Sequence, residues 1–311
     1  MNKVEFQYKK TIFTTLFVSG AAIIAVTVLS NEIAQFAKSG VLLCFNIIVP
    51  SIFPFMIMTD FICSYVYFDR LRLPRYIFER LFKINGAGIS AFIIGILCGF
   101  PIGAKISARL YKDGVITKDE CERLICFTNN SGPAFLISGI GAGMLRSVRD
   151  GIIIYIIMII SAIIIGMIFS FGKKPCNFDD SINNNRLFKI SEATASATSA
   201  TMCVCSYVIL FSVVCGILKM ILGDGLPYII SASFFEVSTA ANQISSSEWL
   251  NWGAKATLIS FAVSFSGISV HLQAKSLLSG SEISMKRYFI AKLLQGIIAA
   301  MLSGIFYFLI F

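Results

Sequence analysis

The chain has 311 residues, of which 56% are hydrophobic and only 14% charged, and its mean hydropathy is +0.80. Soluble domains carry about 25% charged residues, so a soluble enzyme with an apolar core is excluded in favour of a polytopic membrane protein. The 26 Lys and Arg against 17 Asp and Glu leave a net charge of +9. They are scattered through short loops, which suits the positive-inside rule and not nucleic-acid binding.

Lys3, Lys9 and Lys10 precede an apolar run from Thr11 to Leu29. The run is longer than a signal-peptide core and has no A-x-A-like site, so it reads as an uncleaved first helix with a cytoplasmic N-terminus. Residues 1–39 form this N-terminal unit. A second apolar run goes from Gly40 to Phe68 and contains Asp60. The basic stretch that follows holds Arg70, Arg72, Arg75, Arg80 and Lys83, a density expected in the cytoplasm. Leu73, Tyr76, Ile77, Leu81 and Phe82 recur at helical spacing and predict an amphipathic interfacial helix.

An apolar stretch from Ala87 is then broken by CGFPIGAK, Cys98 to Lys105. Basic residues lie on both sides of it, so both its ends read as cytoplasmic. Two half-helices with a tip at Gly99, Phe100, Pro101 and Gly103 predict a re-entrant hairpin; the alternative is a kinked helix ending at Lys105. The next run breaks at Thr128, Asn129, Asn130, Ser131, Gly132 and Pro133. Four adjacent polar residues at membrane depth mark either a solute site at a half-helix N-terminus or hydrogen-bonding glue between helices. Ser131 or Asn130 is the expected N-cap of the second half-helix, with Pro133 in its first turn. Gly139, Gly141 and Gly143 open no βαβ unit and read as a close-packing helix face.

A span over 151–171 closes the first repeat, residues 40–172, and a polar linker read as cytoplasmic, 173–193, follows it. The second, residues 194–311, repeats it weakly. Setting Gly280 against Gly114 lays residues 256–280 over 92–114, with Ser266 and Gly267 at the tip and His271 over Lys105. This predicts a second hairpin at 256–280. The fold expected is therefore all-α, with about six full spans and two re-entrant helical hairpins in an inverted repeat, an architecture of secondary transporters. The substrate-binding set is Gly99, Phe100, Pro101, Gly103, Lys105, Thr128, Asn129, Asn130, Ser131, Gly132, Ser266, Gly267, His271 and Gln273, with Phe127 and Arg109 as helpers. Glu236 and Asp60, carboxylates in apolar surroundings, are candidates for ion coupling.

Nine cysteines without a C-x-x-C pair and a single histidine, His271, give no basis for a metal centre or a disulfide framework. No nucleophile–base pair points to an enzyme, no cofactor is implied, and no phosphate-binding loop supplies ATP.

PSIFPF, GFPIGAKISARLYKDG, ERLICFTNNSGPAFLISGIGAGM and FSGISVHLQAKS, taken together, resemble the sporulation integral membrane proteins of the YlbJ type. That family falls in the nucleoside-recognition, or Gate-domain, superfamily, related to concentrative nucleoside transporters. The resemblance covers nearly the whole chain. It implies a sporulation role and transport of dipicolinate, a small aromatic dianion, across the outer forespore membrane. The expected partners are the lipid bilayer and this solute, with a homo-oligomer or a sporulation protein left open. A nucleoside-type solute, and a non-transporting scaffold for spore assembly, are the alternatives.

Overall fold

In a computed structural model the described residues are 27–65, 72–173, 189–278 and 281–310. The predicted first helix and most of the linker lie outside them, as does the side chain of Asp60. Every regular element among them is helical: α1 (Ser30–Leu43), a π-turn (Cys44–Ile48), α2 (Val49–Tyr65), α3 (Arg72–Phe82), α4 (Gly88–Cys98), α5 (Ile102–Lys112), α6 (Lys118–Thr128), α7 (Ala134–Met144, wound as a π-helix), α8 (Val148–Ser170), α9 (Ile190–Leu222), α10 (Leu226–Phe235), α11 (Val237–Ser246), α12 (Trp252–Phe265), α13 (Gly267–Leu277) and α14 (Lys286–Ile310). Four elements are long and apolar enough to cross a membrane: α8, α9, α14, and α12 with α13 as one 26-residue unit. A fifth is counted if α1 and α2, bent by 44°, form one span. The protein is an all-α polytopic membrane protein.

Local chemistry sets the ends. Thr117 caps α6 through the Glu120 amide while Glu120 reaches back to the Thr117 amide, satisfying two orphan donors at once. Ser147 caps α8 and Asn251 caps α12. Helix α3 forms as the periodicity predicts. Phe78 and Phe82 turn inward, and Leu73, Tyr76, Ile77 and Leu81 stay exposed.

The first hairpin is where the sequence puts it. Helices α4 and α5 fold back on each other around a tip at Gly99, Phe100 and Pro101, with a cis Phe100–Pro101 peptide. Gly99 has φ +84°, and a Cβ on it would lie 2.6 Å from the Gly132 nitrogen, so glycine is required twice over. Between lipid-like helices, association rests on close packing and hydrogen bonds rather than on expulsion of water. Gly95 and Gly103 show this: a Cβ on either would sit 2.1 Å from the Thr128 carbonyl oxygen, so both arms of the hairpin close onto the end of α6. Gly141 likewise meets Gly151, packing α7 on α8 as a small-residue face should.

The second hairpin is not at 256–280. Helices α12 and α13 do not fold onto each other; they run on as one spanning unit, interrupted at Ser266. The fold-back is α10 with α11, its tip at Glu236. The correspondence is therefore α4–α5 with α10–α11, α6–α7 with α12–α13, and α8 with α14. A repeated contact supports this register. The Gly99 tip sits on Gly132 in the break between α6 and α7, and the Phe235–Glu236 tip sits on Gly267 in the break between α12 and α13. Between the two hairpins lie α6–α7, α8 and α9, of which α8 and α9 are each long and apolar enough to cross a membrane.

Candidate functional site

The two tips and the two breaks converge. A cavity lies between Gly99 and Phe100 of tip one, Gly132 and Phe135 at break one, Glu236 and Ser238 at tip two, and Val270 and Gln273 in α13. Apolar side chains of α2 and α9, among them Phe55 and Val204, complete it. Its volume is about 30 Å³, room for about two waters. A planar aromatic solute does not fit until the tips part.

Two polar side chains of this lining, Glu236 and Gln273, come from different elements. Glu236 is buried, and its carboxylate accepts from the amides of Ser238 (3.0 Å) and Thr239 (2.6 Å), capping α11. That capping answers the N-terminal dipole of the half-helix with a negative charge. Gln273 is 1% exposed, and its Oε1 accepts no hydrogen bond among the described residues. A buried unpaired amide oxygen is costly, and here it stands at a cavity wall where a solute donor would satisfy it.

Other sequence-predicted residues fall elsewhere. Lys105 Nζ donates to Ser196 Oγ on α9 (2.8 Å) and does not line the cavity. Arg109 pairs with Asp113 (3.6 Å) at the end of α5. His271 packs against the rings of Phe265, Tyr288 and Phe289. Phe127 stacks on Phe82, centroids 4.5 Å apart, so of Phe100 and its helper Phe127 only Phe100 is at the cavity. Thr128 Oγ1 meets Ser107 Oγ (3.4 Å), Ser266 Oγ donates to the Val263 carbonyl (3.1 Å), and Gly103 and Gly267 serve packing. Pro101 is buried and is the first residue before α5.

The polar run at break one is used on its far side. Ser131 Oγ donates to the Val263 carbonyl (3.4 Å), and Asn130 Nδ2 to the Phe127 carbonyl (2.7 Å), so neither caps α7; Pro133 stands at its N-cap position without a side-chain bond. Asn129 Nδ2 donates to Tyr288 Oη (2.7 Å). Lys292 Nζ donates to the Asn129 carbonyl (2.9 Å), to Asn130 Oδ1 (3.2 Å) and to Gln295 Oε1 (2.7 Å), and Gln295 Nε2 donates to Asn130 Oδ1 (2.9 Å). Lys292 and Gln295 are fully buried. Sequence reasoning missed both. The signal was present: a lysine inside FIAKLLQGIIAAML is an intramembrane charge, and Tyr288, Lys292 and Gln295 stand at i, i+4 and i+7 on one helix face.

The chain is similar to the sporulation integral membrane protein YlbJ of Bacillus subtilis. The two are 27% identical over 92% of this chain and 81% of that protein. No family model matches the chain. No solved structure matches it either.

A charged cluster lies at the far end of α6. Asp119 accepts from Arg287 (2.5 Å), Arg123 (3.0 Å) and Lys173 (3.3 Å). Burial alone would raise its pKa, but Arg287, Lys173 and Arg123 outweigh it and hold the carboxyl below its ordinary 3.8. Arg123 is buried and donates to the carbonyls of Phe82 and Lys83 at the end of α3.

Proposed function

We propose that the protein is a transporter, not an enzyme, that carries a small organic anion by alternating access, with dipicolinate as the solute and sporulation as the setting. The observation that carries this reading is the convergence of two hairpin tips and two helix breaks on one cavity; with α6–α7, α8 and α9 each crossing once, the two tips enter from opposite sides. Irregular backbone at membrane depth is tolerated where it lines a cavity, and half-helix N-termini there favour anions. Four half-helices, α5, α7, α11 and α13, begin at the tips and breaks. Similarity to a sporulation membrane protein supports the setting. On this reading the chain sits in the outer forespore membrane with its N-terminus in the mother-cell cytoplasm, and the small cavity is the contracted state between two open ones.

One observation favours a neutral, nucleoside-type solute instead. Among the described residues Glu236 is the only carboxylate at the cavity wall, and no lysine, arginine or histidine lines it. Proteoliposomes holding the purified chain and trapped terbium, supplied with dipicolinate, decide between them by luminescence. Saturable uptake is expected, reduced about tenfold or more in Gln273→Leu if a solute bond of 1.4 kcal/mol or more is lost there. Uptake of nucleosides in place of dipicolinate transfers the reading to the neutral solute. Uptake of neither, under proton, sodium and potential gradients, leaves a scaffold.

A further inference from the structure

Lys292 Nζ has beside it, among the described residues, no group that would cancel a charge on it. Its three polar partners all present oxygens. The Asn130 oxygen is fixed toward Lys292 because Asn130 Nδ2 is engaged by the Phe127 carbonyl. The Gln295 oxygen is fixed because Gln295 Nε2 turns to Asn130 Oδ1 and the Met158 carbonyl (3.4 Å). The third acceptor is the Asn129 backbone oxygen. An ammonium has three donors and no acceptor, whereas a neutral amine would need a donor for its lone pair. Three acceptors and no donor match the ammonium. The donors are satisfied, but the charge is not: all three partners are neutral, and no carboxylate is paired with Nζ among the described residues. Neighbouring titratable groups are Cys126 on α6, Tyr288 on α14 and His271 on α13, none of them a counter-ion. A lone charge in a low-dielectric interior is costly and acts over a longer range than in water.

Where that field reaches matters. Asn129 and Asn130 hold the Lys292 amine, and Gly132, two residues on in the same break, lines the cavity.

We propose that Lys292 is the fixed positive charge that makes this site select an anion, the bound solute being the counter-ion that the ammonium lacks. The inference rests on the transporter reading and names the determinant of its substrate charge. It also accounts for a cavity without a cationic wall: the charge is held at Asn129 and Asn130 and not in the wall, and the solute meets backbone and the Gln273 amide.

The test uses the purified full chain and three planar pyridine ligands of falling charge, of which the first and last share one shape: the 2,6-dicarboxylate, the 2-carboxylate and the 2,6-dicarboxamide, titrated calorimetrically at neutral pH. The wild type is expected to bind the dianion best and the neutral diamide worst. Lys292→Gln should weaken the dianion about tenfold or more and leave the diamide within about twofold, and Lys292→Arg should keep the wild-type order. Unchanged charge preference in Lys292→Gln overturns the proposal, as does equal loss of all three ligands in a variant that melts like the wild type. If the Lys292 variants do not fold, Asn130→Asp supplies the ammonium with a built-in carboxylate; it should abolish the preference for the dianion and spare the diamide, and an unchanged preference overturns the proposal. A wild type that binds all three equally removes this inference alone. A wild type that binds none removes the transporter reading with it.

Discussion

Pro133 has no N–H to give the Asn129 carbonyl, the acceptor four residues before it, and Lys292 supplies the donor from another helix. A sequence break and a buried cation thus answer each other. Pro133 and the four polar residues were legible as a break because they interrupt an apolar run. Their partner was not, since a single lysine late in α14 has no local pattern beyond its spacing from Tyr288 and Gln295. Asp119 is the residue-scale case with a pH signature. Its pKa is lowered in the folded chain, so its contribution is fully present above the unfolded value near 4 and is lost as pH falls through the lower folded value. Asp119 is 43% exposed, so screening limits the effect. Asp119→Asn should lower stability by about 1 kcal/mol at pH 7. The gap to wild type should close in acid and shrink in high salt. Thermal melts in detergent across pH 3 to 7 check this, and a gap that grows in acid contradicts it.

At the scale of elements, the first hairpin depends on backbone contact. The Thr128 carbonyl enters between Gly95 and Gly103, and a methyl at Gly103 would lie 2.6 Å from the Thr128 carbonyl carbon as well as 2.1 Å from its oxygen. The obstacle is backbone, which cannot rotate away. Gly103→Ala should cost about 3 kcal/mol or more and abolish uptake, whereas Gly253→Ala, whose added carbon meets nothing closer than 3.7 Å, should be neutral. Melting temperatures of the two variants side by side test it; a Gly103→Ala protein as stable as wild type removes the close contact. This hairpin was readable because its tip residues, Gly99 and Pro101, are the ones such a tip requires. The second hairpin was not, because Glu236 makes its tip without glycine or proline: the carboxylate caps α11 itself. The FSG sequence at Ser266 looked like the first tip and drew the repeat alignment one element too far. In fact Ser266, with φ +76°, interrupts a spanning unit without reversing it.

For the molecule as a whole, the corrected register makes a stronger claim than the original one. On the proposed topology α6–α7 crosses away from hairpin one, α8 returns, α9 crosses again, and hairpin two begins and ends on the far side. Asp113, exposed just after α5, and Glu248, exposed just after α11, should therefore face opposite compartments. Charge supports the assignment of the first side. Lys105, Arg109 and Lys112 lie on the second arm of hairpin one and Lys118 just after it, while Lys219 and Asp224 precede hairpin two and Glu248 and Lys255 follow it. In a cysteine-free chain, single cysteines at 113 and 248 should react with a membrane-impermeant maleimide from opposite faces of sealed, oriented vesicles, the first from the cytoplasmic face. Labelling of both from one face would mean that an odd number of crossings does not separate the tips. The converging breaks would then be a feature of one face, and a site reached alternately from two sides would have no basis in the fold. Labelling from opposite faces gives a solute two symmetric routes, each ending at a tip seated on a break, with Gly99 on Gly132 and Glu236 on Gly267 as the contacts that must part.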